Sequence, residues 1–104
     1  FEDFTKMDLR IGHVIAAEKM ENADKLLVLK VDTGIDERTI VSGIAKHYDT
    51  AEILGKKVVV LMNLAPRKIR GVESHGMLLM AENSDGELSA LISEKDFGAG
   101  PLIS

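Results

Sequence analysis

Three cations fall within four residues of the segment Asn63–Ser74 (NLAPRKIRGVES), between a proline and a glycine. The proline fixes its own φ angle, and the glycine permits a turn that a side chain would forbid, so the intervening backbone should be well defined. Arginine suits bidentate phosphate contacts and stacking on bases, whereas lysine acts as a mobile point charge. The spacing of Arg67, Lys68 and Arg70 therefore predicts a polyanion site, although most basic triplets are solvated charged loops.

The charge of the chain is unevenly distributed. Its 13 Lys and Arg against 17 Asp and Glu give a net charge of −4, which taken alone argues against nucleic acid as a partner. Between Leu54 and Val72, however, there are five cations and no carboxylate, so the rest of the chain carries −9. We therefore predict a polarised molecule with one basic region, not a uniformly acidic one.

Length and composition limit the class of protein. With 104 residues, 45% of them hydrophobic, the chain should form one soluble domain. No apolar run approaches the roughly 20 residues that span a bilayer, and no signal peptide pattern is present. The absence of cysteine excludes disulfides, thiolate metal sites and cysteine nucleophiles, and we expect a cytoplasmic protein without a membrane partner. Because the chain begins at Phe1, we expect a piece of a longer protein or a processed start.

Catalytic motifs are missing from the sequence. There is no HExxH, GxSxG, P-loop or dinucleotide fingerprint, and His13, His47 and His75 fall on three separate predicted elements without metal-ligand spacing. An enzyme would require these histidines to converge around a pocket in the fold. We therefore expect no catalytic residue, no metal site and no cofactor.

Hydrophobic patterning predicts a chain built mainly from strands. The first strand should be long and bent near Gly12, because a glycine inside a strand pattern often marks a bulge. Asp49 and Glu52 have the spacing of a capping box, and Gly55 closes the turn that follows, which predicts one short helix. The predicted strands are Leu9–Ala17, Leu26–Asp32, Thr39–Ile44, Lys57–Met62 and Gly76–Ala81, with Glu87–Ile92 as a further strand that could pair.

This order of elements fits the oligonucleotide/oligosaccharide-binding (OB) barrel. We predict an all-β protein with a five-stranded OB-fold barrel, a short helix between strands three and four, and a C-terminal β extension. A single domain would cover 1–104, with the barrel at about 8–82 and the extension at about 83–104. Such barrels bind ligands through the face of strands two and three and the loops joining strands one to two and four to five. Those loops are Lys19–Lys25 and Leu64–His75, so the basic segment falls in a binding loop.

Further candidate residues surround the basic triplet. Asn63 could satisfy loop backbone through its amide, or it could donate to a base or ribose. Ser74 and His75 could touch a sugar or a base edge, but both are also ordinary residues at the start of a strand. Met77 could lie at the rim of the site instead of filling the core. Lys25, in the other loop, is a second phosphate contact or a surface lysine.

Aromatic residues are scarce in the chain. Proteins that bind flexible single strands stack successive bases on aromatic rings. Phe1, Phe4, Tyr48 and Phe97 all lie outside the predicted binding loops. The sequence therefore favours recognition of a folded RNA by its shape and backbone.

One long motif is specific enough to indicate a family. The segment Asn63–Met77 (NLAPRKIRGVESHGM) resembles the tRNA-binding domain of methionyl-tRNA synthetase, and the similarity runs from about Asp8 to Pro101. Shorter matches, each weak alone, are Asp8–Gly12, Ala23–Leu26, Lys30–Asp32, Ile40–Ala45 and Gly55–Val58.

The resemblance implies a non-catalytic domain that holds the elbow or outer corner of tRNA with little regard for sequence. It also implies a homodimer joined through the first strand and about Asn83–Pro101, and association with a catalytic synthetase domain or subunit. The tRNA-binding residues would be Lys25, Asn63, Arg67, Lys68, Arg70, Ser74, His75 and Met77.

The chain departs from the family pattern in its first binding loop. Many members have His-Pro where this chain has Glu21 and Asn22, which removes a stiffener near Lys25.

Some relatives with the same barrel are dimeric, export-related chaperones that bind peptides. Such a chaperone should show an apolar groove, and the basic loop favours tRNA binding over this alternative.

Overall fold

The computed structural model describes all residues from 1 to 104. Strands form most of its regular structure, and both helices are only four residues long. No helix has the length and apolar character needed to cross a membrane. The elements are α1 (Glu2–Thr5), β1 (Leu9–Lys19), β2 (Leu27–Asp32), β3 (Glu37–Ser42), α2 (Thr50–Ile53), β4 (Lys57–Leu61), β5 (Arg67–Ile69), β6 (Val72–Ser74), β7 (Met77–Leu78), β8 (Met80–Glu82) and β9 (Leu88–Ala90).

The central sheet curls into a barrel. Its five strands are antiparallel in the order β3-β2-β1-β4-β7. The two edges meet where the backbone N–H of His75 donates to the carbonyl of Thr39 at 2.9 Å. This closure confirms the predicted all-β OB barrel with a short helix between its third and fourth strands. Its interior contains eleven buried apolar residues: Val14, Leu27, Leu29, Val31, Ile40, Ile44, Ile53, Val58, Val60, Met62 and Leu78.

The bend in β1 lies three residues after the glycine at which it was predicted. The register with β2 shifts between Val14 and Ala16, which leaves Ile15 as the bulged residue. Gly12 instead allows close packing, because a Cβ atom there would lie 2.6 Å from Val31 Cγ1 and 2.9 Å from Val60 Cγ2. The prediction of a bulge at Gly12 is wrong. A glycine is needed there because the neighbouring valines leave no room for a side chain, and not because the backbone bends at that residue.

Helix α2 closes one end of the barrel. The predicted capping box is confirmed: the Asp49 carboxylate accepts from the Glu52 N–H at 2.9 Å, and the Glu52 carboxylate accepts from the Asp49 N–H at 3.1 Å. These bonds satisfy backbone donors that a four-residue helix could not pair internally. Ile53 is completely buried in the core, so the helix covers the barrel with a single large side chain.

The segment after the barrel is attached to it by backbone pairing. The predicted extra strand is confirmed as β9, which pairs with β8, while the predicted fifth strand is divided into β7 and β8. Further on, Gly100 N–H donates to Ile11 O at 2.8 Å and Ile103 N–H donates to Leu9 O at 2.9 Å. The irregular C-terminal segment thus continues the sheet along the part of β1 that β2 does not reach. The sequence pattern did not predict α1.

A polar cluster joins the β2–β3 turn to the end of β4. The Arg38 guanidinium donates through Nε to both Asp36 carboxylate oxygens at 3.1 Å and through Nη1 to the Met62 carbonyl at 2.7 Å. The Thr33 hydroxyl donates to Asp36 Oδ1 at 2.6 Å. The hydrogen bond from Thr33, together with Arg38, lowers the pKa of Asp36 below its usual range. The cluster therefore fixes the point at which the chain leaves the barrel for the basic segment.

Replacing Gly12 by Ala should destabilise the barrel. The new methyl group would overlap two core valines, and overpacking of this kind costs about 1–3 kcal/mol. Gly43→Ala is the matched control, because a Cβ at Gly43 has only Leu26 Cδ2 near it, at 4.0 Å. Urea unfolding should show a lower midpoint for Gly12→Ala and a nearly unchanged one for Gly43→Ala. Equal midpoints would contradict the packing argument.

Replacing Asp36 by Asn should reduce stability at neutral pH and leave it unchanged in acid. A carboxylate with a depressed pKa stabilises the fold above the unfolded pKa, about 3.9, and this contribution is lost as pH falls through the folded value. The melting temperatures of wild type and variant, measured from pH 7 to pH 2, should therefore differ most above about pH 4 and approach each other as pH falls below it toward the folded pKa. Asp85→Asn is the control, since the Asp85 carboxylate has no protein partner. A pH-independent difference would contradict the assignment.

Candidate nucleic-acid interface

The basic segment, predicted as a stiff loop between Pro66 and Gly71, is a β-hairpin. Strands β5 and β6 pair antiparallel, with Ile69 opposite Val72, which leaves a two-residue turn at Arg70 and Gly71. Both turn residues have positive φ angles, 53° and 82°. Positive φ at both positions defines a type I′ turn, whose twist matches that of the paired strands. Sequence reasoning missed the signal for this hairpin, which is the pair Ile69 and Val72 on either side of the dipeptide Arg70-Gly71.

Apolar side chains attach this basic hairpin to the barrel. Ile69 and Val72, from its two strands, are half-buried in a small cluster with Met20, Ala23 and Val41. Met20 and Ala23 belong to the loop between β1 and β2, so the two predicted binding loops pack directly against each other. The hairpin is consequently held by the burial of Ile69 and Val72, while Arg67, Lys68 and Arg70 stay exposed.

The start of the segment is held by Asn63. Its Oδ1 accepts from the Asp8 N–H at 2.9 Å, and its Nδ2 donates to the Lys6 carbonyl. The side-chain amide is therefore used on backbone groups before β1, as in the first of the two roles considered for this residue. With Arg38 bound to the Met62 carbonyl, both sides of the hairpin's entry point are fixed.

The three hairpin cations have no partner within the protein. The side chains of Arg67, Lys68 and Arg70 are exposed and form neither an ion pair nor a hydrogen bond. Lys68 lies opposite Glu73 in the hairpin register, yet the two form no ion pair. Positive charge that the chain leaves uncompensated on a fixed backbone is available to an external anion.

Two other cations of the predicted basic region lie elsewhere. Lys56 and Lys57 are at the start of β4, whereas the hairpin follows its end. Lys57 Nζ lies 3.4 Å from Asp96, and the Gly98 N–H together with Lys57 lowers the pKa of that carboxylate. The five cations between Leu54 and Val72 therefore do not form one free basic region in the folded chain. Folding separates the paired lysine from the three cations on the hairpin.

Lys25 is brought to the hairpin by the packing of the two loops. It shares with Arg70 an open depression of about 580 Å³, formed by the loop between β1 and β2 and the hairpin turn. The two side chains are distant in sequence and converge on one surface. This arrangement provides a fourth exposed cation beside the triplet.

A second concavity, here called the hairpin cleft, opens at the base of the hairpin. Its volume is about 360 Å³, and nine of its fourteen lining residues are hydrophobic. Ser74 is 5% exposed and accepts a hydrogen bond from the Val41 N–H at 2.9 Å, whereas Met77 is 46% exposed at the rim. His75 is half-buried at the barrel closure and does not line the cleft. Of the predicted site residues, Arg67, Ser74 and Met77 meet here.

A protein-family model described as "Putative tRNA binding domain" matches residues 9–101. Methionine--tRNA ligase from Christiangramia forsetii is 62% identical over 92% of this chain, and that from Flavobacterium johnsoniae is 59% identical over all of it. The chain spans only 14% and 15% of the length of these two relatives.

Two solved structures share this fold over nearly their whole length. A MetRS related protein from Pyrococcus horikoshii superposes with a TM-score of 0.94 at 40% identity, covering 99% of this chain and 94% of that one. A CsaA chaperone from Bacillus anthracis has a TM-score of 0.91 at 28% identity, covering 100% and 96%. The family match, the curated relatives and the barrel with its basic hairpin agree, and the chain belongs to the tRNA-binding domain family found in methionine--tRNA ligases.

Proposed function

We propose that this chain is the non-catalytic tRNA-binding domain of a methionyl-tRNA synthetase and that it captures tRNA by electrostatics and shape. The observation that carries the proposal is the group of three exposed, unpaired cations on a hairpin that apolar contacts attach to the barrel. A preorganised cationic surface loses little conformational entropy when it meets phosphates. The basic hairpin would therefore contact the sugar-phosphate backbone, with Lys25 extending the contact beyond the turn.

The mode of recognition follows from what surrounds the cations. No aromatic side chain lies on the hairpin or in the loop between β1 and β2, so successive bases cannot be stacked as in single-strand binders. Phosphates arranged by a folded RNA supply a fixed pattern of negative charge instead. Linked to a catalytic part in the cytoplasm, the domain would raise the local tRNA concentration and slow its dissociation during aminoacylation.

The same proposal includes a homodimer. Exposed apolar side chains gather where α1 meets the C-terminal segment: Phe1, Met7 and Leu102 line a depression of about 530 Å³. Ile92 and Phe97, in the segment after the barrel, are also exposed. Contiguous exposed apolar surface is typical of protein interfaces, and two copies related by a two-fold axis could cover it. A dimer would present two basic hairpins.

A peptide-binding chaperone is the second candidate, because the hairpin cleft is lined mainly by apolar residues and one similar structure is a CsaA chaperone. An apolar peptide would leave the three hairpin cations without a partner. It would also not account for the strong similarity to methionine--tRNA ligases over nearly the whole chain. These observations favour tRNA as the ligand.

Replacing Arg67, Lys68 and Arg70 together by Ala should weaken tRNA binding by roughly tenfold or more at moderate salt. The slope of log K against log salt should become shallower by about 2 to 3, because each lost phosphate contact removes about 0.7 to 0.9. Filter binding with unfractionated tRNA at several salt concentrations measures both quantities.

The control for this experiment removes three cations outside the hairpin. Lys6, Lys57 and Lys95 replaced together by Ala give the same net charge, and their loss should change affinity much less. Circular dichroism should show that both variants remain folded. Equal affinities of wild type and hairpin variant would refute electrostatic capture by the hairpin.

The wild-type chain should sediment as a dimer, at twice the 11.3 kDa of one chain. Leu102→Glu should yield monomers, because the new carboxylate would lose its hydration in the apolar contact. Leu54→Glu is the control, since Leu54 is exposed to a similar degree at the end of α2. A monomeric wild type, or a dimer that survives Leu102→Glu, would exclude this interface.

A further inference from the structure

Two exposed apolar side chains line the hairpin cleft. Leu64, before the hairpin, is 41% exposed, and Met77, after it, is 46% exposed. Both contribute to the lining, together with core residues at its base. At about 360 Å³ the cleft lies near the lower end of the range for small-molecule sites, roughly 300–1,000 Å³. It is suited to one compact group and is too small for a stacked run.

A hydrogen-bond donor inside the cleft has no protein acceptor. Ser74 Oγ accepts from the Val41 N–H, and its own O–H donates to no atom of the chain. Ser74 is 5% exposed and lines the cleft, so the cleft is the side from which an acceptor could reach its hydroxyl. A buried donor in an apolar setting is costly when it is left unpaired. A ligand that offers an acceptor is therefore favoured over a purely aliphatic one.

The rim of the cleft carries a free cation. Arg67 lines the opening and has neither an ion pair nor a side-chain hydrogen bond. An apolar slot, an unused donor within it and a guanidinium at its edge match the three parts of a nucleotide. These parts are a flat base, the acceptors on its edge and the phosphate attached through the sugar.

We propose that the hairpin cleft receives one unstacked nucleobase of the bound tRNA. The base lies between Leu64 and Met77, Ser74 Oγ donates to an acceptor on its edge, and Arg67 pairs with the adjacent phosphate. Thioether sulfur makes favourable contacts with aromatic rings, and bases in RNA loops are readily splayed out for such sites. The proposal rests on the proposed tRNA-binding function and adds a base contact to its backbone contacts.

A peptide side chain is the competing occupant. An aliphatic or aromatic side chain would fill the apolar part of the cleft but leave the Arg67 guanidinium without an anion. Charge complementarity therefore favours a phosphorylated ligand, and peptide binding becomes an outcome of the test.

The first experiment uses NMR of the full chain with isotope labels in the Leu and Met methyl groups and in the Arg side chains. Nucleoside 5′-monophosphates are titrated in, followed separately by ribose 5-phosphate and by a neutral apolar peptide. Nucleotides should shift the methyl signals of Leu64 and Met77, whereas ribose 5-phosphate should shift only the Arg67 side-chain signal. Absence of methyl shifts with all nucleotides, equal shifts with ribose 5-phosphate, or shifts with the peptide alone would overturn the base site.

The second experiment measures tRNA affinity of Met77→Ala and of Leu64→Ala. Each should lower affinity about fivefold or more, because truncation removes apolar surface that covers one face of the base, while the salt slope stays as in wild type. Leu54→Ala, outside the cleft, should bind like wild type. If wild type binds tRNA and both cleft variants bind it as tightly as wild type does, the base site is refuted and the tRNA-binding function stands. If wild type binds no tRNA, both proposals fall.

Discussion

The apolar contact beneath the basic hairpin is the interaction on which the candidate site depends. Three exposed cations repel one another, and a two-stranded hairpin is marginally stable by itself in water. Ile69 and Val72 overcome this by packing on Met20, Ala23 and Val41. The same contact brings the loop between β1 and β2 against the hairpin, so it also places Lys25 beside Arg70. Burial of two hairpin side chains thus fixes the backbone from which the positive charge is displayed.

The polar contacts at the hairpin's entry point have a different role. Arg38 and Asn63 bind backbone groups at the end of β4 and before β1, and neither cluster contains a hairpin cation. The chain therefore fixes the position of its candidate binding element with residues whose polar groups are already hydrogen-bonded within the protein. The one site residue used in this way, Asn63, shows why a polar side chain in a binding motif need not touch the ligand.

Much of the fold was predictable because its signals are local. Short apolar segments, the Asp49–Glu52 capping box and the order of elements were sufficient for the barrel and its helix. The bulge at Ile15 was not predicted, because the only local signal for a bend was the glycine at position 12. That glycine is required instead by close contacts with Val31 and Val60, which are distant in sequence. Among the site residues, the exposed triplet was found from charge alone. The separation of Lys57 through its pairing with Asp96 required the tertiary structure.

The turn of the hairpin carries a further consequence. Arg70 occupies a left-handed conformation that Asn and Gly adopt more readily, at a cost of about 1–2 kcal/mol for an ordinary side chain. Charge and backbone preference are thus opposed at this single position. Replacing Arg70 by Asn would relieve the strain in the turn, but it would also remove the cation at the tip of the hairpin. The chain therefore keeps a cation at the tip of the hairpin at the expense of the stability of the turn.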